Sequence, residues 1–213
     1  MLQIICIITM FLDHLGLLFS VPVLRLIGRV SMPIYAYLLS VSVNKTHDLE
    51  KFSFKLGILA FISQIPYYIF TGENRANIIV TWFLCVYFVV IHRSKWKKLY
   101  KFVSYFLGFC LLFGGLKYDY GYIAVLWFVF FYAVFQKADK RGFIFLAIIA
   151  LLYIVLGWYL DLFAFVAVLI VMIARKYKLE RVKNVTFHRI YQYFYPGHLV
   201  FLSIFKCLLG GSV

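Results

Sequence analysis

The chain has 213 residues, 65% of them hydrophobic and only 14% charged, with a mean hydropathy of +0.93 and a formal net charge of +14. Soluble domains run nearer about 45–50% apolar and about 25% charged. The composition therefore excludes an ordinary soluble domain and predicts one all-α, polytopic membrane domain over residues 1–213. The basic residues fall in short loops between apolar segments, so they are orientation signals and not a nucleic-acid surface.

Hydropathy predicts about nine spans, near residues 2–19, 28–43, 56–70, 78–92, 102–116, 121–135, 143–156, 159–174 and 191–209. Helix is the expected form, because segments this apolar cannot leave backbone groups unpaired in lipid and the alternation of a barrel strand is absent. The loops after the even-numbered spans hold seventeen Lys and Arg, against four (Arg25, Arg29, Arg75, Lys117) after the odd-numbered spans before the last. The positive-inside rule then places the N-terminus in the cytoplasm and, with nine spans, the C-terminus outside. The first segment lacks a basic leader and a small-residue cleavage site, so it is expected to stay in place.

Within that first span Asp13 and His14 are the only acidic or basic side chains. A carboxylate near the centre of a spanning helix costs about 2.5–3.5 kcal/mol or more on insertion scales, so such groups line cavities, pair with charges or do chemistry. An imidazole, with an ordinary pKa of about 6.5, can take and return a proton as a general base must. Neighbours in sequence point about 100° apart on a helix. Asp13 is therefore expected to pair with Arg25 or Arg29, and a carboxylate partner for His14 is sought at Asp119 or Asp161.

The second stretch, Gly28 to Tyr37, places Arg29 at a span boundary, where it either snorkels or binds a phosphate or carboxylate. In the third, Gln64, Pro66 and Asn77 sit beside spans and suit interhelical hydrogen bonds or polarisation of a carbonyl. Asp119, in Lys117-Tyr118-Asp119-Tyr120-Gly121, suits a helix N-cap or a catalytic role. Near the C-terminus Tyr191, Tyr195 and His198 share a helix face if the helix continues, while Pro196-Gly197 predicts a break of the kind that lines cavities. His198 is a candidate second base or cofactor contact. The cysteines Cys6, Cys85, Cys110 and Cys207 stand singly without paired spacing, so neither a disulfide framework nor a metal site is predicted.

The order Met-x-x-Asp-His, Gly-Arg-x-x-x-Pro-Ile, Gln-Ile-Pro, Asn-x-x-x-Thr, Asp-Tyr-Gly and Tyr-Pro-x-His-Leu resembles the TraX family, membrane proteins named for a conjugation pilin acetylase. That family looks related to the transmembrane acyltransferases that include the lysosomal heparan-glucosamine acetyltransferase. The resemblance covers almost the whole chain. It implies a multi-pass protein of the bacterial cytoplasmic membrane that transfers acetyl from acetyl-CoA to an amine, a peptide or pilin N-terminus or an amino sugar. Carried over by position, His14 would be the catalytic base, with Asp13 and Asp119 beside it, and Arg29, Asn77, Tyr195 and His198 as cofactor contacts. Two other readings fit the same residues, a small proton-coupled permease and a non-enzymatic subunit of a secretion system. An intramembrane metalloprotease lacks its ligand spacing.

Overall fold

A computed structural model describes residues 1–113, 117–135, 140–179 and 185–209. The described residues are helical with no strand. Helix α1 (Leu2–Leu18) ends at Ser20, whose φ of +54° turns the chain, and Pro22 starts the short α2 (Pro22–Gly28). A proline at a first helical position removes no bond, because that amide is an orphan anyway. α2 folds back on α1 in the most extensive contact between any two elements. Small residues allow this approach. A Cβ on Gly16 would stand 2.8 Å from the Arg25 nitrogen, and one on Gly28 2.3 Å from Asp13 Cβ.

α3 (Ser31–Lys45) is buried almost all round and packs on α1. α4 (Leu49–Thr71) starts at Asp48, whose side chain accepts from the Lys51 amide at 2.9 Å, and stops at Gly72, with φ +70°. α5 (Ile78–Arg93) lies against both α4 and α3. α6 (Lys98–Phe113) is peripheral and reaches α5 where Gly108 meets the ring of Phe88. α7 (Gly121–Val129) runs on into a π-helical turn at Phe130–Val134, and buried Trp127 donates to the Tyr153 hydroxyl of α8 (Lys140–Val155) at 3.0 Å. After Gly157 a 3-10 segment (Tyr159–Phe165) leads into α9 (Val166–Lys176), and α10 (Val185–Leu208) packs on α4 and α1.

Each predicted span thus has a helical counterpart, with differences. The residues ahead of the second span form their own helix, α2. The eighth begins as a 3-10 segment, where Asp161 is held by Arg29. The predicted break at Pro196-Gly197 is absent, because α10 continues through it. A proline removes only one amide donor, and packing against α1 and α4 holds the helix across it. Residues 114–116 of the fifth span, and Lys137, Arg181 and Lys183 among the predicted orientation signals, lie outside the described residues. Among those described, two helices, Pro22–Lys45 (α2 with α3) and Leu49–Thr71, are long and apolar enough to cross a membrane.

Candidate functional site

The buried face of α1 presents Gln3, Cys6, Met10, Asp13 and His14 at helical spacing. His14, 8% exposed, meets His198 of α10, 4% exposed. His14 Nδ1 lies 2.9 Å from the Met10 carbonyl, and His198 Nδ1 lies 2.8 Å from the Phe194 carbonyl. A carbonyl oxygen only accepts, so in both neutral rings Nδ1 carries the proton. His198 Nε2 is then bare and lies 3.3 Å from His14 Nδ1, a second and more distant acceptor for the proton that the Met10 carbonyl holds. That leaves His14 Nε2 as a lone-pair nitrogen without a proton. Phe70 and Tyr195 flank the His14 ring at centroid distances of 5.6 Å and 6.4 Å, and Phe194 stacks on His198 at 4.8 Å.

The charges next to this pair are arranged by the α1–α2 contact. Asp13 Oδ1 lies 3.7 Å from Arg25 Nε and 3.9 Å from Arg29 Nη1. Arg29 also reaches Asp161 Oδ1 through Nε at 2.7 Å and donates through Nη1 to the Tyr120 hydroxyl at 2.8 Å. Asp13 and Asp161 are thus paired with arginine. Asp119 instead stands close to the hydroxyl of buried Tyr67. Burial raises the Asp119 carboxyl above the ordinary carboxylate value, against the opposing pull of the His14 imidazole.

Asn77 organises the neighbouring strut. Its side chain caps α5 by accepting from the Ile79 amide at 2.9 Å, and its Nδ2 donates to the Ala60 carbonyl at 2.9 Å and to Gln64 Oε1 at 2.8 Å. The adjacent Ala76 pairs with the chain before α7, accepting from the Asp119 amide at 3.1 Å and donating to Lys117 O at 2.7 Å. Asp119 is therefore tied to the start of α5 through backbone bonds. Tyr195 is 3% exposed, and its hydroxyl faces the Ile78 amide while its own proton has no acceptor among the described residues.

Two cavities adjoin. The smaller, about 30 Å³, is lined by Asp13, His14, Tyr35, Asp119, Tyr120 and Tyr195, among others. It is of the order of the space one water occupies. The larger, about 570 Å³, lies between α3, α4 and α10, with Lys45 and Lys55 on its wall. Among the described residues no three His, Cys, Asp or Glu side chains are grouped to hold a metal ion.

A family model described as TraX protein matches residues 1–206. The chain belongs to the TraX family. No curated protein and no solved structure matches it. The matched stretch of this TraX chain includes every residue of the cluster just described.

All seven residues singled out from the sequence gather in this region of the TraX fold. Asp13, His14, Asp119 and Tyr195 line the small cavity, and His198 adjoins it through His14. Arg29 stands one contact behind, held by protein carboxylates. Asn77 has both amide donors committed to Ala60 and Gln64, so its side chain serves helix positioning. Of the two carboxylates sought for His14, Asp161 faces Arg29 and Asp119 shares the cavity. The nitrogen partner of His14 is a second histidine, which spacing alone does not reveal. Tyr35, Trp82 and Tyr67 were missed as site residues, although Tyr35 and Tyr67 fall within the stretches singled out.

Proposed function

We propose that this protein is a multi-pass membrane acetyltransferase that moves acetyl from cytoplasmic acetyl-CoA to an amine on or beyond the membrane, with His14 as general base. Family membership supports a pilin-modifying role, and an amine at a peptide N-terminus or on a sugar is the acceptor class that suits it. The observation that carries the reaction is the Met10 carbonyl 2.9 Å from His14 Nδ1, which fixes the tautomer that leaves Nε2 free to accept a proton, with His198 packed against the same ring.

In the proposed step the amine nitrogen attacks the thioester carbonyl. The new C–N bond forms, the C–S bond breaks, and His14 Nε2 takes the proton that the nitrogen loses and passes it to the departing sulfur. The Tyr195 hydroxyl, whose proton has no acceptor among the described residues, is the proposed donor to the oxyanion that develops. Asp119, in the same cavity and without an arginine partner among the described ion pairs, is suited to take the first proton of an ammonium acceptor, which leaves the neutral amine whose second proton His14 accepts.

A membrane setting is supported by the outside of the bundle, where Phe61, Phe143 and Leu208 are 78%, 79% and 78% exposed. It agrees with the two helices of crossing length and with the basic loops, whose distribution supports a cytoplasmic N-terminus. The two adjoining cavities would also serve a small permease. The deciding experiment is acetyl release or transfer from labelled acetyl-CoA by the purified full chain. We expect turnover that falls about a hundredfold or more in His14→Ala, the scale of a lost general base. Equal rates in variant and parent would remove His14 from the mechanism, and no turnover by folded parent protein would favour the permease.

A further inference from the structure

The two cavities share a wall, and that wall is one ring. Tyr35 lines both. It stacks on Trp82 of the small cavity at 5.7 Å and 17°, and on Tyr191 of the large one at 5.9 Å and 26°. Along α1 the same order repeats: Gln3 lines the large cavity, Cys6 is fully buried beside the stack, and Met10 and His14 line the small cavity.

The large cavity is of the size that ligand sites have, about 300–1,000 Å³. Its side walls are apolar, from Leu38, Leu39, Leu56 and Leu59. The hydroxyls of Ser42 and Thr46 donate to the Leu38 and Ser42 carbonyls, which leaves Lys45 and Lys55 as the charged recognition groups. Asp48 stands near Lys55 but forms its ion pair with Lys51, at 3.2 Å. Two ammonium groups on the wall of an otherwise uncharged cavity match a molecule with phosphate at one end and a neutral arm at the other.

We propose that the large cavity binds the phosphate-bearing portion of such a linear ligand, and that Tyr35 is the partition past which the ligand's uncharged end reaches His14. The identity of the ligand as an acyl thioester rests on the acetyltransferase reading, whereas the site and the partition do not. The ring must leave the stack before a group on the large-cavity side can touch the histidine pair. A bulky or doubly charged arm is excluded.

Cys6 reports the state of the partition. The test is its rate of modification by N-ethylmaleimide, read by mass spectrometry on the full chain in lipid discs. Cys85, buried and lining neither cavity, is the reference for loosening of the bundle. We expect slow modification of Cys6 in the parent, a parent-like rate in Tyr35→Phe, and a rate about tenfold or more higher in Tyr35→Ala, since thiol reactivity follows access. Acetonyl-CoA, a thioether with no free thiol, should protect Cys6 in Tyr35→Ala, and Lys45→Gln/Lys55→Gln in that background should remove the protection. Inorganic phosphate alone should not protect.

An unchanged Cys6 rate in Tyr35→Ala, or Cys85 rising in parallel, overturns the partition. Protection by phosphatidylglycerol discs in place of acetonyl-CoA supports the phosphate site but assigns it to lipid and overturns the soluble ligand. Protection by neither overturns the site. If acetonyl-CoA protects while no acetyl transfer is measured, the binding site stands and the reaction falls.

Discussion

Gly28 of α2 rests directly on Asp13 of α1, so closely that a Cβ at Gly28 would stand 2.6 Å from Asp13 Cα and 2.7 Å from its Oδ1. Those are backbone and short side-chain atoms that cannot swing aside. The contact sets where Asp13 points and, through Arg25 and Arg29, where the charges of the site stand. Gly28→Ala should therefore cost about 1–3 kcal/mol in stability, as overpacking of a close contact does. It should lower acetyl transfer further than the stability loss explains. A thermal melt alongside turnover checks this, and a neutral effect on both would show that the contact is not needed.

His198 is placed to position His14, not to react. In His198→Gln the side-chain amide can still meet His14 Nδ1, while in His198→Ala only the Met10 carbonyl of its own helix does. We expect His198→Ala to lose about tenfold to a hundredfold in kcat, the scale of a misplaced catalytic group. His198→Gln should recover part of it, with KM for the donor nearly unchanged. Equal loss in both variants would point to a direct chemical role for the imidazole.

Arg29 joins Asp13 and Asp161, one on α1 and one on the 3-10 segment before α9. Removing Arg29 leaves Asp161 without its arginine while Asp13 keeps Arg25, and loss of one partner from a largely buried pair costs up to about 3–5 kcal/mol. Arg29→Met should be destabilised on that scale, and Arg29→Met with Asp161→Asn should be less so than the single variant. A double-mutant cycle on melting of the purified chain measures the coupling.

Asn77→Ala removes a helix cap and leaves Gln64 Oε1 without the Nδ2 donor, though the Asn77 backbone amide still reaches it at 2.9 Å. Loss of the cap alone costs about 0.5–2 kcal/mol. The larger expected effect is local, since Ala76 and Asp119 are bonded through their backbones. Hydrogen exchange should rise at the start of α5 and around Asp119 in this variant while α8 stays protected.

Asp119 carries a carboxyl whose value in the folded chain is raised by burial, so the folded state holds its proton to higher pH than the unfolded state does. Between the ordinary carboxylate value and the raised one, the folded form binds more protons, and stability falls as pH rises through that window. Asp119→Asn should flatten this slope and be relatively more stable above it. Melting temperature against pH for parent and variant checks the sign, and a parent curve that rises across the window would contradict it.

Much of the helical layout was legible because apolar runs, broken by basic loops, leave few alternatives to helix. The pairing of Asp13 with Arg25 and Arg29 was legible too, since a short turn limits how far those side chains can separate. α2 was not: a seven-residue helix between two apolar runs has no periodicity of its own, and its signal lay in Pro22 and in glycines at 16 and 28. The continuity of α10 through Pro196 was misjudged because a proline's cost depends on neighbouring helices, which the sequence does not display. The partition at Tyr35 depends on three rings from α3, α5 and α10 meeting in space, and no spacing within one helix announces it.

His14 and His198 are separated by 184 residues of chain. During synthesis α1 is made first, and its histidine waits, with only the Met10 carbonyl of its own helix for company, until nearly the last helix has been delivered. The histidine pair is thus a property of the finished protein. A partly synthesised or truncated chain that lacks α10 holds His14 without the Tyr195 and His198 rings that pack against it, so the paired site is assembled only once α10 has closed on α1.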